Sequence, residues 1–268
     1  MPDLESFTLV SGPCVLEDEE LNLAVARGVA AAAHEAGLEA VFKASFDKAN
    51  RSRLGSARGP GLAHGLELLR TVREDTGLPV LTDIHEAAQA GPVAEVADVL
   101  QIPAFLCRQT SLLVAAGETG KAVNVKKGQW MSPAAMAGAV EKVRAGGATR
   151  VMVTERGTSF GYGDLVVDLR NFALVREAAG VPVIFDGTHS VQTPGATADG
   201  STGGAPEHIR ALVRGAVAAG CDGLFLEVHP DPASAPSDGS NMLPLSDLPS
   251  VLREVVAIRR ALGAEAAR

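Results

Sequence analysis

The chain has 268 residues, of which 46% are apolar and only 4% aromatic, and its formal net charge is −8. Such a chain can bury one large core built mostly from aliphatic side chains. The acidic balance argues against nucleic acid as the main partner, because backbone phosphates need a broad basic face. Three widely spaced cysteines cannot form a disulfide framework, and no apolar run approaches the ~20 residues that cross a bilayer. We therefore expect a cytoplasmic protein without a membrane partner.

Short apolar or β-branched runs recur along the chain and predict eight strands. These runs are residues 7–10, 39–43, 80–83, 99–102, 122–126, 151–155, 181–186 and 224–228. Ala-rich amphipathic segments between them predict helices, among them residues 17–36, 62–76, 133–145 and 207–219. Several of these segments end in glycine, as helix C-termini prefer. The unit between the third and fourth strands is short.

Strands that are apolar throughout are buried on both faces, which is typical of a parallel sheet covered by helices. Eight βα units in about 250 residues predict a (β/α)8 barrel (TIM barrel) that forms a single domain over residues 1–268. An open doubly wound sheet is the alternative. Two stretches without a hydrophobic period, at about 190–206 and 230–240, follow strands and are expected over the catalytic mouth. Either could be a tolerated surface insertion or a mobile lid.

A barrel of this kind places its reactive residues where the strands end. Polar or charged side chains do follow each predicted strand. They are Cys14, Lys43 with Lys48, Asp83 with His85, Gln109 after Arg108, Asn124 with Lys126, Glu155 with Arg156, Asp186 with His189, and Glu227 with His229. A capping or surface role is the commoner one for any single residue. For the whole set, a barrel built only for stability has no reason to place charge there repeatedly.

The second predicted strand runs into a basic segment, residues 42–53, which holds four cations and one acid. In a chain that is acidic overall, such a segment predicts a local anion site, because neighbouring side chains must create the positive potential. Phosphate is the first ligand to consider.

Three shorter motifs match known chemistry only in part. Residues 157–161 fit the GxSxG pattern, but no immediate strand-to-helix turn follows, which disfavours a serine hydrolase. Residues 117–121 lack the first P-loop glycine and precede a strand, and His34 lacks the second histidine of a zincin motif.

Four scattered residues, Cys14, His189, Glu227 and Asp238, belong to the ends or loops of the first, seventh and eighth strands, which are neighbours when a barrel closes. A mixed shell of thiolate, imidazole and carboxylate suits zinc, iron(II) or manganese and leaves room for water. On these residues alone, the commoner role of Cys14 is that of a small buried hydrophobic residue.

Seven sequence blocks carry a more specific signal. They are residues 42–52 (FKASFDKANRS), 58–61 (RGPG), 82–86 (TDIHE), 101–106 (QIPAFL), 108–110 (RQT), 124–127 (NVKK) and 186–189 (DGTH). Together they closely resemble the 3-deoxy-D-manno-octulosonate 8-phosphate synthase family, also called 2-dehydro-3-deoxyphosphooctonate aldolases, over nearly the whole chain. The resemblance implies a (β/α)8 barrel, usually a homotetramer, that condenses phosphoenolpyruvate with D-arabinose 5-phosphate and releases inorganic phosphate. This reaction supplies the acid sugar of lipopolysaccharide.

The resemblance also bears on the sugar and the metal. The related synthase that uses erythrose 4-phosphate has Lys-Pro-Arg-Thr where this chain has residues 48–52 (KANRS), which implies the five-carbon sugar. One branch of the family has Asn at the position of Cys14 and needs no metal, so Cys14 implies the metal-dependent branch, with His189, Glu227 and Asp238 as the other ligands. Relatives commonly have a basic residue soon after the glycines of 203–206, and this chain does not.

Roles for individual residues follow from the same resemblance. Phosphoenolpyruvate brings about three negative charges at neutral pH and needs several cations. The substrate-binding residues implied are Lys43, Ser45, Lys48, Asn50, Arg51, Ser52, Asp83, Gln109, Lys126 and Arg156. The catalytic residues implied are Lys48, Asp83, His189 and Asp238. A divalent metal (zinc, iron(II) or manganese) could position the attacking water or polarise the aldehyde. Two rivals stay open, namely the erythrose 4-phosphate synthase and a catalytically silent phosphosugar-binding barrel.

Overall fold

The computed structural model describes residues 6–51, 54–159, 161–195 and 202–263. The strands are β1 (Thr8–Gly12), β2 (Glu39–Lys43), β3 (Val80–Asp83), β4 (Val99–Ile102), β5 (Ala122–Lys126), β6 (Val151–Glu155), β7 (Val183–Asp186), β8 (Gln192–Thr193), β9 (Gly203–Gly204), β10 (Gly223–His229) and β11 (Leu243–Pro244). The helices are α1 (Glu19–Ala36), α2 (Leu62–Thr76), α3 (Ala90–Ala94), α4 (Thr110–Glu118), α5 (Met136–Ala145), α6 (Asn171–Ala179), α7 (Ile209–Ala218) and α8 (Leu248–Ala261).

Strands β1 to β7 and β10 pair in parallel in chain order, and β10 pairs with β1 to close the sheet. This closure confirms the predicted (β/α)8 barrel and rules out the open doubly wound sheet. The short strands β8 and β9 pair antiparallel after β7, and β11 pairs with the end of β10. Among the described residues, no helix combines the length and the apolar character needed to span a membrane.

The predicted strand bounds agree with the structure for β2 to β6. The seventh strand begins at Val183 rather than at residue 181, because Pro182 has no N–H to donate to a ladder. Helix α1 begins at Glu19 because Asp18 caps it, its side chain accepting a hydrogen bond from the Leu21 N–H at 2.8 Å. The short third unit contains only the five-residue helix α3.

Two sets of side chains fill the inside of the barrel. The apolar lumen cluster takes one residue from each barrel strand, and its members are Val10, Val41, Leu81, Val99, Ala122, Met152, Ile184 and Phe225. Two residues further along seven of these strands lies the polar lumen ring, made of Lys43, Asp83, Gln101, Asn124, Thr154, Asp186 and Glu227, all buried. Because strand side chains alternate with a period of two, both sets face the lumen. A larger apolar core lies between strands and helices.

Candidate active site

A cavity of about 600 Å³ opens where the barrel strands end. Nine of the predicted site residues line it: Lys43, Lys48, Asn50, Arg51, Asp83, Lys126, Arg156, His189 and Asp238. The strand ends approach closely here, since a Cβ added to Gly12 would lie 2.2 Å from the carbonyl oxygen of Lys43. Glycine at the end of β1 therefore lets the Cys14 loop pack against β2.

A chain of hydrogen bonds joins four strands of the polar lumen ring. Thr154 Oγ1 donates to Asn124 Oδ1 at 2.8 Å, and Asn124 Nδ2 donates to Gln101 Oε1 at 2.7 Å. Gln101 Nε2 in turn donates to Asp83 Oδ1 at 2.5 Å, while Ser45 Oγ donates to the other oxygen of Asp83. Both carboxylate oxygens of Asp83 are thus held in place.

Charges around Asp83 keep it ionised. Burial alone would raise the pKa of its carboxyl, but Lys43 and Lys48 outweigh burial and bring the pKa well below 3.8. Burial likewise opposes the charge on Lys48, yet neighbouring acidic groups, including Glu227 and Asp83, raise the pKa of Lys48 above its ordinary value. These neighbours therefore favour the ammonium form of Lys48 on the cavity wall.

The β5 and β7 ends meet through an ion pair. Lys126 Nζ donates to Asp186 Oδ2 at 2.5 Å and lies 3.8 Å from the centre of the Phe225 ring. His189 Nδ1 lies 2.7 Å from the same carboxylate oxygen. Burial lowers the pKa of Lys126, partly offset by Asp186 and Glu227. With the proton on Nδ1, the other nitrogen of His189 is free, 3.5 Å from Glu227 Oε2.

Arg156 directly follows β6 and is a buried cation with spare hydrogen-bonding capacity. Its side chain donates through Nη2 to Gln192 Oε1, whereas Nη1 is buried without a hydrogen-bond partner among the described residues. Burial lowers the pKa of the guanidinium, although nearby carboxylates including Asp186 and Asp238 favour the charged form. Because a buried guanidinium N–H without a partner is costly, this position fits an anionic ligand.

A cluster of soft and hard donors lies beside the cavity. One ligand atom each from Cys14, Glu227 and Asp238 lies within 4.8 Å of the others. Cys14 Sγ donates to Asp238 Oδ2 at 2.9 Å, and Lys43 Nζ donates to Glu227 Oε1 at 2.9 Å. Glu227 Oε2 is buried without a hydrogen-bond partner among the described residues.

The electrostatics of this cluster fit a cation. Burial, with the charges of Asp238 and Glu227, raises the pKa of the Cys14 thiol well above 9.0. Burial opposes the ionised form of Asp238 as well, but His189 and Lys48 bring its pKa well below 3.8. Asp238 also has a left-handed backbone, with φ at 55°, a conformation that Asp tolerates better than most residues. The site offers the thiol of Cys14, the carboxylates of Glu227 and Asp238, and the adjacent imidazole of His189. These groups match the donors that a borderline divalent ion prefers, and one of their atoms, Glu227 Oε2, has no hydrogen-bond partner among the described residues.

The remaining predicted residues lie in different places. Ser45 supports Asp83 from below the cavity, and Ser52 lies outside the described residues. Gln109 does not line the cavity, since it is exposed and precedes α4 as its N-cap. Its contact with phosphoenolpyruvate stays a prediction, and the glutamine that lines the cavity wall is Gln101. The sequence does contain a signal for Gln101, since it is the polar residue of an otherwise apolar strand and lies two positions after Val99.

Sequence reasoning also missed two residues outside the barrel strands that organise the site. Gln192 bridges Arg156 and Asp238, with its Nε2 donating to Asp238 Oδ1 at 2.9 Å. Ser237 Oγ donates to Asp238 Oδ2 at 2.8 Å and accepts from Arg51 Nη1 at 2.7 Å. Neither residue follows a strand directly, so the strand-end rule could not find them.

The closed barrel, its cation-lined mouth and the adjacent donor cluster define a (β/α)8 barrel whose cavity suits an anionic ligand. The chain belongs to the DAHP synthetase I family, whose model matches residues 3–262.

Its relatives include proteins named 2-dehydro-3-deoxyphosphooctonate aldolase. The one from Nitratidesulfovibrio vulgaris (strain DP4) is 58% identical over 93% of this chain and 91% of its own length. Those from Syntrophotalea carbinolica and a Synechococcus species are 56% and 53% identical, over 93% and 96% of this chain and 90% and 89% of their own lengths. These findings confirm the resemblance read from the sequence blocks.

Proposed function

We propose that the protein condenses phosphoenolpyruvate with D-arabinose 5-phosphate and water to give 3-deoxy-D-manno-octulosonate 8-phosphate and inorganic phosphate. The observation that carries this proposal is the set of four cations, Lys43, Lys48, Lys126 and Arg156, on the wall of one cavity in a chain of net charge −8. The shared name of the relatives supports the same reaction.

Phosphoenolpyruvate would bind between Lys126, the last residue of β5, and Arg156, which directly follows the adjacent strand β6. The Arg156 guanidinium has a buried Nη1 without a protein partner among the described residues, so an oxygen of the substrate would complete its hydrogen bonding. Lys126 is held by Asp186, which fixes the ammonium group before the substrate arrives. Such a preorganised pair stabilises the negative charge that develops on the substrate.

The sugar phosphate would bind at the loop that follows β2. Asn50 and Arg51 line the cavity there, and Arg51 Nη2 donates to the carbonyl oxygen of Pro236 at 2.7 Å, which joins this loop to the one that carries Asp238. The resemblance assigns Ser52, which lies outside the described residues, to binding of the sugar or its phosphate as well. Asp83 would accept hydrogen bonds from the sugar hydroxyls because its carboxylate stays ionised.

In the reaction, carbon 3 of phosphoenolpyruvate forms a bond to the aldehyde carbon, and the aldehyde oxygen becomes the new hydroxyl. Water adds at carbon 2, and the tetrahedral intermediate then expels inorganic phosphate. Lys48, which remains an ammonium group, would donate to the aldehyde oxygen as negative charge builds there. Asp238 would accept the proton that the attacking water releases, and His189, whose Nδ1 is held by Asp186, would do so only while its Nε2 is not bound to an ion.

We further propose that Cys14, His189, Glu227 and Asp238 hold a divalent ion of zinc, iron(II) or manganese. The orphan oxygen of Glu227 and the buried thiol beside Asp238 support this ligand set. When bound, the ion would supply Lewis acidity to the attacking water or to the aldehyde.

A phosphate-release assay with two aldoses tests the reaction. Arabinose 5-phosphate should be used about a hundredfold better than erythrose 4-phosphate. Only the five-carbon sugar has the extra hydroxyl that the site would hydrogen-bond, and the shorter sugar would leave those polar groups without a partner. Comparable efficiency with both sugars would favour the erythrose 4-phosphate synthase. Binding of both substrates without phosphate release would instead indicate a silent phosphosugar-binding barrel.

Metal content measured beside turnover tests the ligand set. A strong chelator should abolish activity and a divalent ion should restore it, and Cys14→Ala should lose most bound metal because a soft ligand is gone. Cys14→Asn, which carries the residue of the metal-free branch, is expected to keep some chelator-insensitive activity. A fully active wild type without metal would show that Cys14 is only a buried thiol.

We also propose a cytoplasmic homotetramer. Two exposed aromatic side chains beside the cavity support self-association, since Phe105 is 56% exposed and Trp130 is 43% exposed, with 5.8 Å between their ring centres. Sedimentation equilibrium would give the mass of the assembly directly, and a monomer would contradict this part of the proposal.

A further inference from the structure

One buried ion pair lies behind the cavity and joins the ends of β5 and β6. Lys127 Nζ is 3.5 Å from Glu155 Oε1, and both side chains are completely buried. Each residue is the chain neighbour of a proposed phosphoenolpyruvate ligand, Lys126 or Arg156. Because consecutive strand residues point to opposite faces, the two ligands line the cavity while the ion pair lies outside the barrel wall.

The carboxylate of Glu155 holds the chain on both sides of Arg156. Its Oε1 accepts a hydrogen bond from the Gly157 N–H at 2.7 Å, and its Oε2 accepts from Asn171 Nδ2, at the start of α6, at 2.8 Å. Gly157 has φ at 92°, a left-handed conformation that glycine adopts without strain. The turn that presents Arg156 is therefore fixed both to its own strand and to the helix layer.

The ammonium group of Lys127 performs the same task for the neighbouring loop. Its Nζ lies 3.4 Å from the carbonyl oxygens of both Gly128 and Met131, which it reaches as a donor. The turn so held carries Gln129, which lines the cavity and whose carbonyl oxygen accepts from the Ser159 N–H at 3.0 Å. The ion pair thus connects the two loops that flank Lys126 and Arg156.

Stability alone does not explain this pair. Removing two charges from water is costly, and apolar replacements of a buried ion pair are often as stable or more stable. We propose that Lys127 and Glu155 are positioning residues that set the spacing and orientation of Lys126 and Arg156, and so determine the affinity for phosphoenolpyruvate. This inference rests on the proposed function for the identity of the ligand.

Three variants separate positioning from a merely structural role. Lys127→Met and Glu155→Gln should each lower the melting temperature, because each leaves one buried charge uncompensated. The double variant removes both charges and should recover most of the melting temperature. Its KM for phosphoenolpyruvate should nevertheless stay about tenfold or more above wild type, because displaced cations no longer match the substrate. The KM for arabinose 5-phosphate should stay within about twofold.

A second buried carboxylate at the opposite end of the barrel provides the control. Asp98 Oδ2 accepts from the N–H of Val80, the first residue of β3, at 3.0 Å, and Asp98 Oδ1 lies 3.3 Å from Arg73 Nη2. Asp98→Asn should lower the melting temperature as the single variants do. It should leave the KM for phosphoenolpyruvate unchanged.

Two further measurements keep the outcome decisive. Calorimetric affinity for phosphoenolpyruvate alone should weaken in the double variant, and the emission of Trp130, the single tryptophan of the chain, should shift because its turn loses Lys127. A double variant with wild-type KM and affinity would overturn the positioning role, as would an equal rise in both KM values. A wild type that binds phosphoenolpyruvate but releases no phosphate would refute the proposed reaction, while the affinities would still decide the positioning role.

Discussion

The apolar lumen cluster and the polar lumen ring use the same barrel strands and differ by only two residues along each. Leu81 belongs to the cluster and Asp83 to the ring, and Val99 and Gln101 repeat the pattern on the next strand. The cluster needs only shape and apolar surface. Each member of the ring, by contrast, must find a polar partner, since an unpaired buried polar group is costly. One step of the β period therefore separates the part that stabilises the barrel from the part that does chemistry.

The ring pairs almost all of its groups internally, through the chain of hydrogen bonds that leads from the Thr154 donor through Asn124 and Gln101 to the Asp83 acceptor, and through the ion pairs of Lys43 with Glu227 and of Lys126 with Asp186. Buried atoms left without hydrogen-bond partners in the described residues include Glu227 Oε2 and, beside the ring, Arg156 Nη1. Two of the six such atoms thus lie at the proposed metal and phosphoenolpyruvate positions, and the other four belong to Thr82, His85 and Asn241. We therefore predict that substitutions in the apolar lumen cluster and substitutions at the polar mouth have separable effects on stability and on turnover.

The largest effect should come from Arg156→Ala. Loss of a buried cation that faces the substrate should lower kcat/KM for phosphoenolpyruvate by about a thousandfold. The melting temperature should change little, because the guanidinium contributes more to the charged transition state than to packing. Steady-state kinetics beside thermal unfolding would check both parts. A near-normal rate would contradict the assigned role of Arg156.

The next largest effect should appear below the ring, in Leu81→Ala. Deleting a fully buried side chain from the apolar lumen cluster should lower the free energy of unfolding by about 3 kcal/mol. The kinetic constants at 25 °C should stay near wild type, because the side chain touches no substrate. Urea unfolding and phosphate release measured on one preparation would test this. A large loss of kcat with little loss of stability would show that the two parts of the lumen are not separable.

Much of this architecture was readable in the sequence. The runs that became β2 to β6 are apolar and end at polar residues, so their bounds were predicted correctly. Because β1, β7 and β10 are neighbours in the barrel, Cys14, Glu227 and Asp238 lie close together. The spacing of these residues in the sequence does not show this unless the barrel is predicted first. The assignments of individual substrate contacts stay predictions.

What the sequence did not show has physical causes as well. Gln109 was assigned from the resemblance and lies outside the cavity of this chain, whereas Gln101 inside the strand lines it. Gln192 lies in the short strand β8 and Ser237 in a loop, and the positions of both depend on tertiary contacts. The ion pair of Lys127 with Glu155 faces away from the cavity, so a search for residues at the mouth could not reveal it.

A smaller effect on both quantities should follow from Gln101→Met. This change keeps the side-chain volume but leaves Asn124 Nδ2 and Asp83 Oδ1 without their partner, at a cost of about 2 kcal/mol in stability. The activity should fall about tenfold, because Asp83 loses one of the two contacts that orient it. Urea unfolding and kinetics with varied arabinose 5-phosphate would show both losses. A loss of stability with unchanged kinetics would show that Gln101, like the apolar lumen cluster, only stabilises the barrel.

The smallest effect should be a pH dependence from Asp83. Its pKa lies well below the ordinary value of 3.8 in the folded protein, because Lys43 and Lys48 outweigh burial. The carboxylate therefore stabilises the fold fully above pH ~5, and this stabilisation is lost as pH falls, by about 1 kcal/mol at pH ~3 from this group alone. Urea unfolding of wild type and Asp83→Asn at several pH values isolates the contribution as the difference between two curves. The difference should shrink in acid, whereas the exposed Asp164→Asn control should run parallel to wild type. A wild-type curve parallel to that of Asp83→Asn would mean that the ring does not hold this carboxylate ionised.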